Sequence, residues 1–193
     1  MRSAVTRLLR PRDRWRSRQD RRRRARGRRL AFWIRLWGGQ AGKRLRAEKG
    51  VHLRHLPHAG WRIGDDVYLG VGVVLDVRNG AAFVLGDRVK LMHYVVVSAV
   101  ESLTLEHHAQ VGECSTLRDN DHDTAAGVSM SAAKVVARPT FVGADAWIAR
   151  GVCVTSGSTV GAGAVVGANA VVRGEIPPNT VAVGVPARVV RDR

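Results

Sequence analysis

The sequence of residues 141–172 is FVGADAWIARGVCVTSGSTVGAGAVVGANAVV, and one pattern repeats through the whole stretch. An aliphatic residue returns at every sixth position, and a small or compact residue usually stands two places before it. An amphipathic helix would space its apolar residues three and four apart, and an ordinary strand would alternate them. A six-residue period is instead typical of a parallel β-helix whose aliphatic side chains point into the coil. The aliphatic residues are Val142, Ile148, Val154, Val160, Val166 and Val172.

Earlier parts of the chain show the same spacing with interruptions. Three sets of three aliphatics, beginning at Ile63, Leu85 and Leu105, each correspond to one triangular turn. After Leu117 the next member is Val142, which predicts a long loop over residues 118–141. Long loops that leave a rigid scaffold are usually functional or disordered. We therefore predict an all-β coil over residues 51–193, with this loop and a C-terminal tail over residues 173–193.

The net charge of +16 is confined to the N-terminal arm, residues 1–50. The arm holds 19 Lys and Arg against three acidic residues, whereas the rest of the chain is neutral. Such a segment is expected to be disordered or an amphipathic helix. Its apolar cluster LAFWIRLW (residues 30–37) could cap the open end of the coil or lie on a membrane surface. Nucleic acid is not the expected partner, because no known nucleic-acid-binding motif accompanies the arginines.

The cysteine content and hydropathy indicate a cytoplasmic protein. Cys114 and Cys153 have no metal or redox spacing, and the N-terminus lacks the apolar core of a signal peptide. No apolar run approaches the roughly 18–20 residues of a membrane span. We expect residence in the reducing cytoplasm, with peripheral contact at the inner membrane face as a hypothesis for the arm.

Three segments resemble the hexapeptide-repeat acyltransferases, in the branch of the maltose, galactoside and polysaccharide O-acetyltransferases. They are FVGADAWIA (141–149), VGAGAVVGANAVV (160–172) and EIPPNTVAVGVPARVV (175–190). The resemblance implies a left-handed parallel β-helix, although right-handed crossovers are the general rule. It also implies a homotrimer that binds acetyl-CoA as co-substrate, without a metal, in a groove between neighbouring subunits.

The resemblance places the catalytic histidine at the start of the long loop, five residues after an inward aliphatic. That residue is His122, which stands between Asp121 and Asp123. A neutral imidazole can remove the proton of an attacking hydroxyl at neutral pH. A carboxylate on the other ring nitrogen would fix the tautomer, and Asp119, Asp121 and Asp123 are all candidates. Transfer would be direct, through a tetrahedral intermediate whose oxyanion meets a backbone amide.

The coenzyme contacts also come from the resemblance. Trp147 would pack on the pantetheine arm, Ala168 would offer a main-chain contact, and three arginines would lie near the adenosine phosphates, to which guanidinium groups are suited. Arg150 stands where the family usually has a small residue, so the grip on pantetheine is expected to differ. The predicted coenzyme residues are Trp147, Ala149, Arg150, Ala168, Arg173, Arg188 and Arg191.

The acceptor is expected to be a hydroxyl of a sugar in a polysaccharide precursor, which could be lipid-linked. Met92 stands where the galactoside enzymes have an acceptor-binding Asn, so its neighbour His93 becomes a candidate contact. The predicted acceptor residues are Met92, His93, Asp119 and Asn120. Two alternatives remain open. One is a metalloenzyme similar to the γ-type carbonic anhydrases, and the other is a non-catalytic scaffold whose basic arm binds anions.

Overall fold

The computed structural model describes residues 11–124, 129 and 131–193, and most of them form a β-solenoid. Short strands follow one another around three flat faces, which we call A, B and C in the order in which the chain first reaches them. Strands on one face pair in parallel from turn to turn. The described residues contain six complete turns and a partial seventh. This architecture confirms the predicted all-β coil.

The first four turns precede the long loop. In chain order their strands are β1 (Gln40–Ala41), β2 (Arg46–Ala47), β3 (His52–Leu53), β4 (Trp61–Ile63), β5 (Tyr68–Leu69), β6 (Val74–Val77), β7 (Ala82–Leu85), β8 (Lys90–Leu91), β9 (Val96–Ala99), β10 (Ser102–Leu105), β11 (Gln110–Val111) and β12 (Thr116–Arg118). Face A begins with β1, face B with β2 and face C with β3, and every third strand thereafter returns to the same face.

A hairpin of β13 (Asn120–His122) and β14 (Val135–Ala137) then leaves the coil between faces C and A. Two more turns follow, made of β15 (Thr140–Val142), β16 (Trp147–Ile148), β17 (Cys153–Val154), β18 (Thr159–Val160), β19 (Val165–Val166) and β20 (Val171–Val172). The last strands are β21 (Glu175–Ile176), β22 (Thr180–Val183) and β23 (Arg188–Asp192). Because β23 pairs antiparallel with β22, it ends the parallel ladder of face B.

The repeat aliphatics fill the interior of the coil. All six from Val142 to Val172 are fully buried, as are the small residues Ala164 and Ala170 that precede two of them. Full burial of a Val or Leu side chain contributes about 1.5–3 kcal/mol. Because successive turns stack the same residue type in register, the core is a continuous column along the axis.

Helix α1 (Pro11–Leu36) caps the first turn. Its inner face buries Ala31 and Ile34, and Gly27 lies directly against the backbone of Leu45. A salt bridge from Arg23 to the buried carboxylate of Glu48 adds a polar contact. Helix α1 is therefore the part of the arm that caps the coil.

Tyr68 supports the same contact from the second turn. Its hydroxyl donates a hydrogen bond to Oε1 of Glu48, at 3.3 Å. Burial and, secondarily, the nearby Glu48 carboxylate raise the pKa of Tyr68, so the phenol remains a donor well above neutral pH.

The first turn begins at Gln40, inside the segment that the sequence assigned to the arm. Ala41, Ala47 and Leu53 continue the six-residue spacing backwards, and Ala47 is buried. Alanine is a weak marker of an inward position, and the charged residues between these three obscure the pattern. The long loop also differs from its predicted bounds, because residues 118 and 140–141 belong to face strands.

Candidate active site

The candidate base His122 lies on an ordered hairpin and not on an irregular loop. It pairs with Val135 of β14, and the N–H of Asp123 donates to the carbonyl oxygen of Lys134 at 2.8 Å. The side chain of His122 is exposed. The backbone is therefore held in place while the imidazole remains open to a substrate or to another subunit.

Asp119 fixes the root of this hairpin. Its carboxylate is fully buried and accepts hydrogen bonds from the N–H groups of Val100 (2.8 and 3.0 Å), Glu101 (2.8 Å) and Ser102 (2.7 Å). Its carbonyl oxygen accepts from the N–H of Arg138, at 2.7 Å, on the returning chain. These bonds give Asp119 a structural role, and its contact with the acceptor or the histidine stays a prediction.

Asn120 belongs to the same root. Its amide nitrogen donates to Oγ of Ser98 at 3.0 Å and to Oδ1 of Asp119 at 2.9 Å. The side chain is half-buried, and its donor is directed to the hairpin root instead of outward to an acceptor. Its predicted acceptor contact would therefore have to use the amide oxygen.

The two carboxylates that flank His122 differ in their surroundings. Asp121 lies 3.4 Å from a guanidinium nitrogen of Arg118, and both side chains are largely exposed. Successive side chains of a strand point to opposite sides, so Asp121 and His122 diverge within β13. Asp123 follows the strand directly. The orienting role of either carboxylate stays a prediction.

Five of the predicted residues stack along the corner between faces B and C, which we call the B–C corner. Met92 and His93 stand there in the third turn, Ala149 and Arg150 in the fifth, and Ala168 in the sixth. Backbone hydrogen bonds join these turns: the N–H of Cys114 donates to the carbonyl of His93 (3.0 Å), and that of Asn169 to the carbonyl of Arg150 (2.9 Å). The structure thus brings the acceptor candidates and part of the coenzyme set onto one ridge.

His93 has a defined tautomer at this corner. The N–H of Val71 donates to its Nδ1 at 2.9 Å, so Nδ1 must be an acceptor. In the neutral ring the proton then lies on Nε2. Half-buried and held from behind, His93 can offer Nε2–H as a donor to a ligand on the B–C corner.

Trp147 projects outward from face B. It is 54% exposed and lies between Gln110 and Val165 in the column of outward residues. A groove of about 550 Å³ runs beside it, with Gln110, Asn179 and Arg193 among the lining residues. Sequence reasoning missed these three. Gln110 could have been found, because it precedes the inward Val111 as Trp147 precedes the inward Ile148.

The predicted phosphate-binding arginines fall into two groups. Arg191 pairs with Val181 at the end of face B, and Arg188 lies on the same strand. Arg173 follows β20 at the corner between faces C and A, where the hairpin also leaves the coil. All three are exposed. Arg188 and Arg191 therefore share the face of Trp147, whereas Arg173 does not.

One chain presents these candidates as two separate half-sites. His122 extends from the corner between faces C and A, whereas Trp147 lies on face B and His93 on the B–C corner. Face C separates the two. Among the described residues no group of three or more His, Cys, Asp or Glu could hold a metal ion. No described helix is long and apolar enough to cross a membrane.

Comparisons with known proteins find one similar sequence and several similar folds. No family model matches the sequence. The Escherichia coli K12 protein provisionally named lipopolysaccharide biosynthesis O-acetyl transferase WbbJ is 29% identical over 136 residues, which are 66% of this chain and 69% of that protein.

Several solved structures share the fold. The N-acyltransferase AntD from Bacillus cereus, in complex with dTDP and coenzyme A, has a TM-score of 0.70 at 14% identity and covers 83% of this chain and 88% of its own. A hexapeptide-repeat acetyltransferase from Vibrio cholerae, complexed with acetyl-CoA, has a TM-score of 0.58 at 21% identity, with coverages of 89% and 87%. A galactoside acetyltransferase in complex with coenzyme A has a TM-score of 0.55 at 19% identity, with coverages of 90% and 82%.

The solenoid and its six-residue period define a hexapeptide-repeat protein. Within that class, the similarity in sequence confirms the predicted resemblance to the hexapeptide-repeat acyltransferases and the predicted kind of enzyme, an acyltransferase. The solved structures show that the fold is shared.

Proposed function

We propose that this protein transfers an acetyl group from acetyl-CoA to a sugar hydroxyl of a polysaccharide or lipopolysaccharide precursor. The observation that carries the proposal is the exposed His122 on a rooted hairpin, the one long excursion from the coil within the described residues. The name of the E. coli relative supports an O-linked product, and the coenzyme complexes of the similar structures support the donor.

The donor would lie along face B. The indole of Trp147 offers a flat apolar surface to the pantetheine arm, and the groove beside it ends near Arg193, whose Nη1 donates to the carbonyl of Gly163 at 2.8 Å. Arg188 and Arg191 can supply charge-assisted hydrogen bonds to phosphate oxygens. Ala149, Arg150 and Ala168 would line the far side of the coenzyme at the B–C corner.

The reaction follows from the chemistry of a histidine base. A ring nitrogen of His122 takes the acceptor hydroxyl proton as the oxygen attacks the thioester carbonyl carbon. The C–O bond forms, and a backbone amide stabilises the tetrahedral oxyanion. The C–S bond then breaks, and the proton passes from His122 to the leaving thiolate. Asp121 and Asp123 remain the candidates for stabilising the imidazolium.

A homotrimer would complete the site. Each chain carries its base and its coenzyme face on opposite sides of face C, so a neighbouring copy that sets its hairpin beside Trp147 would join the two half-sites. The acceptor would then lie between His122 of one subunit and His93 of the other, where Nε2–H can donate to a sugar oxygen. Met92 would flank the same position.

The acceptor and the cellular location are linked in this proposal. If the sugar precursor is carried on a lipid, the lipid would hold this substrate at the cytoplasmic face of the membrane. The positive charge of α1 favours residence at that face, because juxtamembrane basic segments are attracted to anionic lipid.

The test compares His122→Gln with His107→Gln, an exposed histidine of the coil that serves as a matched control. We expect the His122 variant to lose about 10²–10⁴-fold in acetyl transfer, since that is the usual contribution of a general base. Its Kd for acetyl-CoA, measured calorimetrically, should match the wild-type value. The measurement follows thiol release with simple sugars as acceptors.

Specific coenzyme binding must be separated from attraction of any polyanion to the basic arm. Trp147→Ala keeps every charge and should still weaken acetyl-CoA binding, whereas pyrophosphate binding should not change. Absence of saturable binding at millimolar acetyl-CoA would overturn the proposal and favour the metal-dependent or scaffold alternatives. Full transfer activity of His122→Gln would overturn the assigned base.

A further inference from the structure

A groove opens between the C-terminal half of α1 and the first turn of the coil. It measures about 580 Å³ and is walled by Trp33 and Trp37 of the helix segment and by Leu53 and Leu56 of the coil. Arg29 and Lys49 stand at its edge. We call these six residues the cap groove. Its walls are apolar and its edge is cationic, which is the chemistry of an amphiphile site.

The surface around the cap groove is unusually apolar for one that faces solvent. Trp33 and Trp37 are 45% and 46% exposed, and Leu56 is 62% exposed. Phe32 and Leu36 extend the patch along the helix, at 58% and 59% exposed. Single exposed apolar residues are normal on soluble proteins. A contiguous exposed apolar patch is uncommon and marks an interaction site.

The charge next to this patch is predominantly positive. Residues 17–36 of α1 contain nine Arg and one Asp. Glu48 pairs with Arg23 and Asp20 with Arg24, so these two carboxylates offset only two of the nine positive charges. A partner that covers the patch must therefore offer apolar matter flanked by negative charge.

We propose that the cap groove binds the surface of a bilayer containing anionic phospholipid. Trp33 and Trp37 lie at the level of the headgroups, where amphipathic rings are favoured. Leu53 and Leu56 meet the acyl chains, and Arg29 and Lys49 contact the phosphates. A folded nucleic acid would use the arginines but would leave the aliphatic residues exposed to water. The inference deepens the proposed location, but it rests on the helix and first turn alone and does not depend on acetyl transfer.

The geometry also connects this surface to the candidate acceptor site. Lys49 belongs to the B–C corner of the first turn, and the N–H of Gly72 in the second turn donates to its carbonyl oxygen at 3.2 Å. His93 stands on the same corner one turn further and is bonded to Val71. At the usual strand spacing, His93 lies roughly 10 Å along the coil from the cap groove. A lipid-linked sugar that emerges from the bilayer beside α1 would meet this corner first.

The experiment measures sedimentation of the full chain with vesicles of phosphatidylcholine, alone or mixed with phosphatidylglycerol. We expect binding only to the mixed vesicles, with a blue shift of tryptophan fluorescence. Trp33→Ser/Trp37→Ser keeps every charge and should weaken binding by at least about tenfold, a loss of about 1.4 kcal/mol. Arg29→Gln/Lys49→Gln should weaken it further than the matched control Arg18→Gln/Arg21→Gln, which removes the same charge away from the groove.

Three outcomes would overturn the inference. Wild-type binding by the aromatic double variant would mean adsorption by charge alone. A change in its oligomeric state by light scattering, without a change in vesicle binding, would mean that the patch is a contact between copies. An equal loss of vesicle binding in Arg29→Gln/Lys49→Gln and in Arg18→Gln/Arg21→Gln would mean that net charge, and not the groove, determines binding.

Acetyl-CoA binding in solution serves as the folding control for every variant. A variant that still binds acetyl-CoA but no longer binds vesicles supports the proposed membrane contact. If the wild type does not bind acetyl-CoA, that result counts against the proposed enzyme and not against the membrane contact.

Discussion

At the scale of single residues, the hairpin that carries His122 depends on one buried carboxylate. Asp119→Ala would leave the N–H groups of Val100, Glu101 and Ser102 without their acceptor, in a turn that is only partly buried. Each lost partner of this kind costs about 1–3 kcal/mol, so we expect the free energy of unfolding to fall by about 3 kcal/mol or more. Denaturant unfolding followed by circular dichroism measures the change.

The matched control for this prediction is Asp121→Ala, two residues along the same hairpin. Asp121 has a 3.4 Å contact with Arg118, and both groups are largely exposed, so its removal should cost less than about 1 kcal/mol. Equal shifts in the two variants would show that the bonds at the root contribute nothing specific. A loss of transfer activity in the Asp119 variant beyond its loss of folded protein would restore a role in the site.

The sequence predicts the inward aliphatics but does not separate the acidic residues that follow Arg118. A period of six identifies Leu117 without ambiguity, because only a buried column keeps that spacing. Asp119 is two residues further, in the inward column that Ala99 occupies one turn earlier and Val77 two turns earlier. That equivalence predicts burial of Asp119. The carboxylate chemistry of Asp119 favours a role in the site. Its buried position becomes evident only when the successive turns are aligned.

At the scale of elements, the docking of α1 depends on a glycine. A Cβ at Gly27 would overlap the carbonyl oxygen of Leu45, which is backbone and cannot move aside. Alanine is the better helix former by about 1 kcal/mol, so Gly27→Ala would stabilise an isolated helix. Against the coil, we expect the overlap to dominate and to lower the free energy of unfolding by about 1–3 kcal/mol.

Trypsin offers a second measurement for this variant, since the helix is dense in arginine and becomes cleavable when it detaches. Gly27→Ala should be cut faster than the wild type. Ala25→Ser adds one atom at an exposed position two residues earlier and should change neither stability nor cleavage. A neutral or stabilising Gly27→Ala would contradict the docked helix.

The sequence left the place of α1 open because its two faces support different interpretations. The exposed Trp33 and Trp37 favour a surface contact, whereas Ala31 and Ile34, which lie between and beside them, are the residues that cap the coil. A helix that is basic on nearly every side gives no clear apolar stripe to predict from. The packing of Gly27 on the first turn, together with the burial of Ala31 and Ile34, shows which face is inward.

At the scale of the whole molecule, the six-residue period determines the fold of one chain but does not determine how several chains assemble. Three faces of similar length give three corners, and the sequence alone does not indicate which corner meets a neighbour. The placement of the predicted residues supplies that constraint, because His122 and Trp147 lie on opposite sides of face C. In the proposed reaction, a productive site would then combine the hairpin of one copy with face B of another.

Mixed assemblies test this arrangement directly. His122→Gln lacks the base, and Trp147→Ala, assayed well below the wild-type KM for acetyl-CoA, lacks the coenzyme contact, so each variant alone should be nearly inactive. In a cyclic trimer that contains both variants, one of the three interfaces always joins an intact His122 to an intact Trp147. Co-expressed variants with different tags, purified through both tags, should therefore recover about one third of the wild-type rate per trimer. If each chain used its own His122 and Trp147, every mixed trimer would be as inactive as its parents, and the shared site would be wrong.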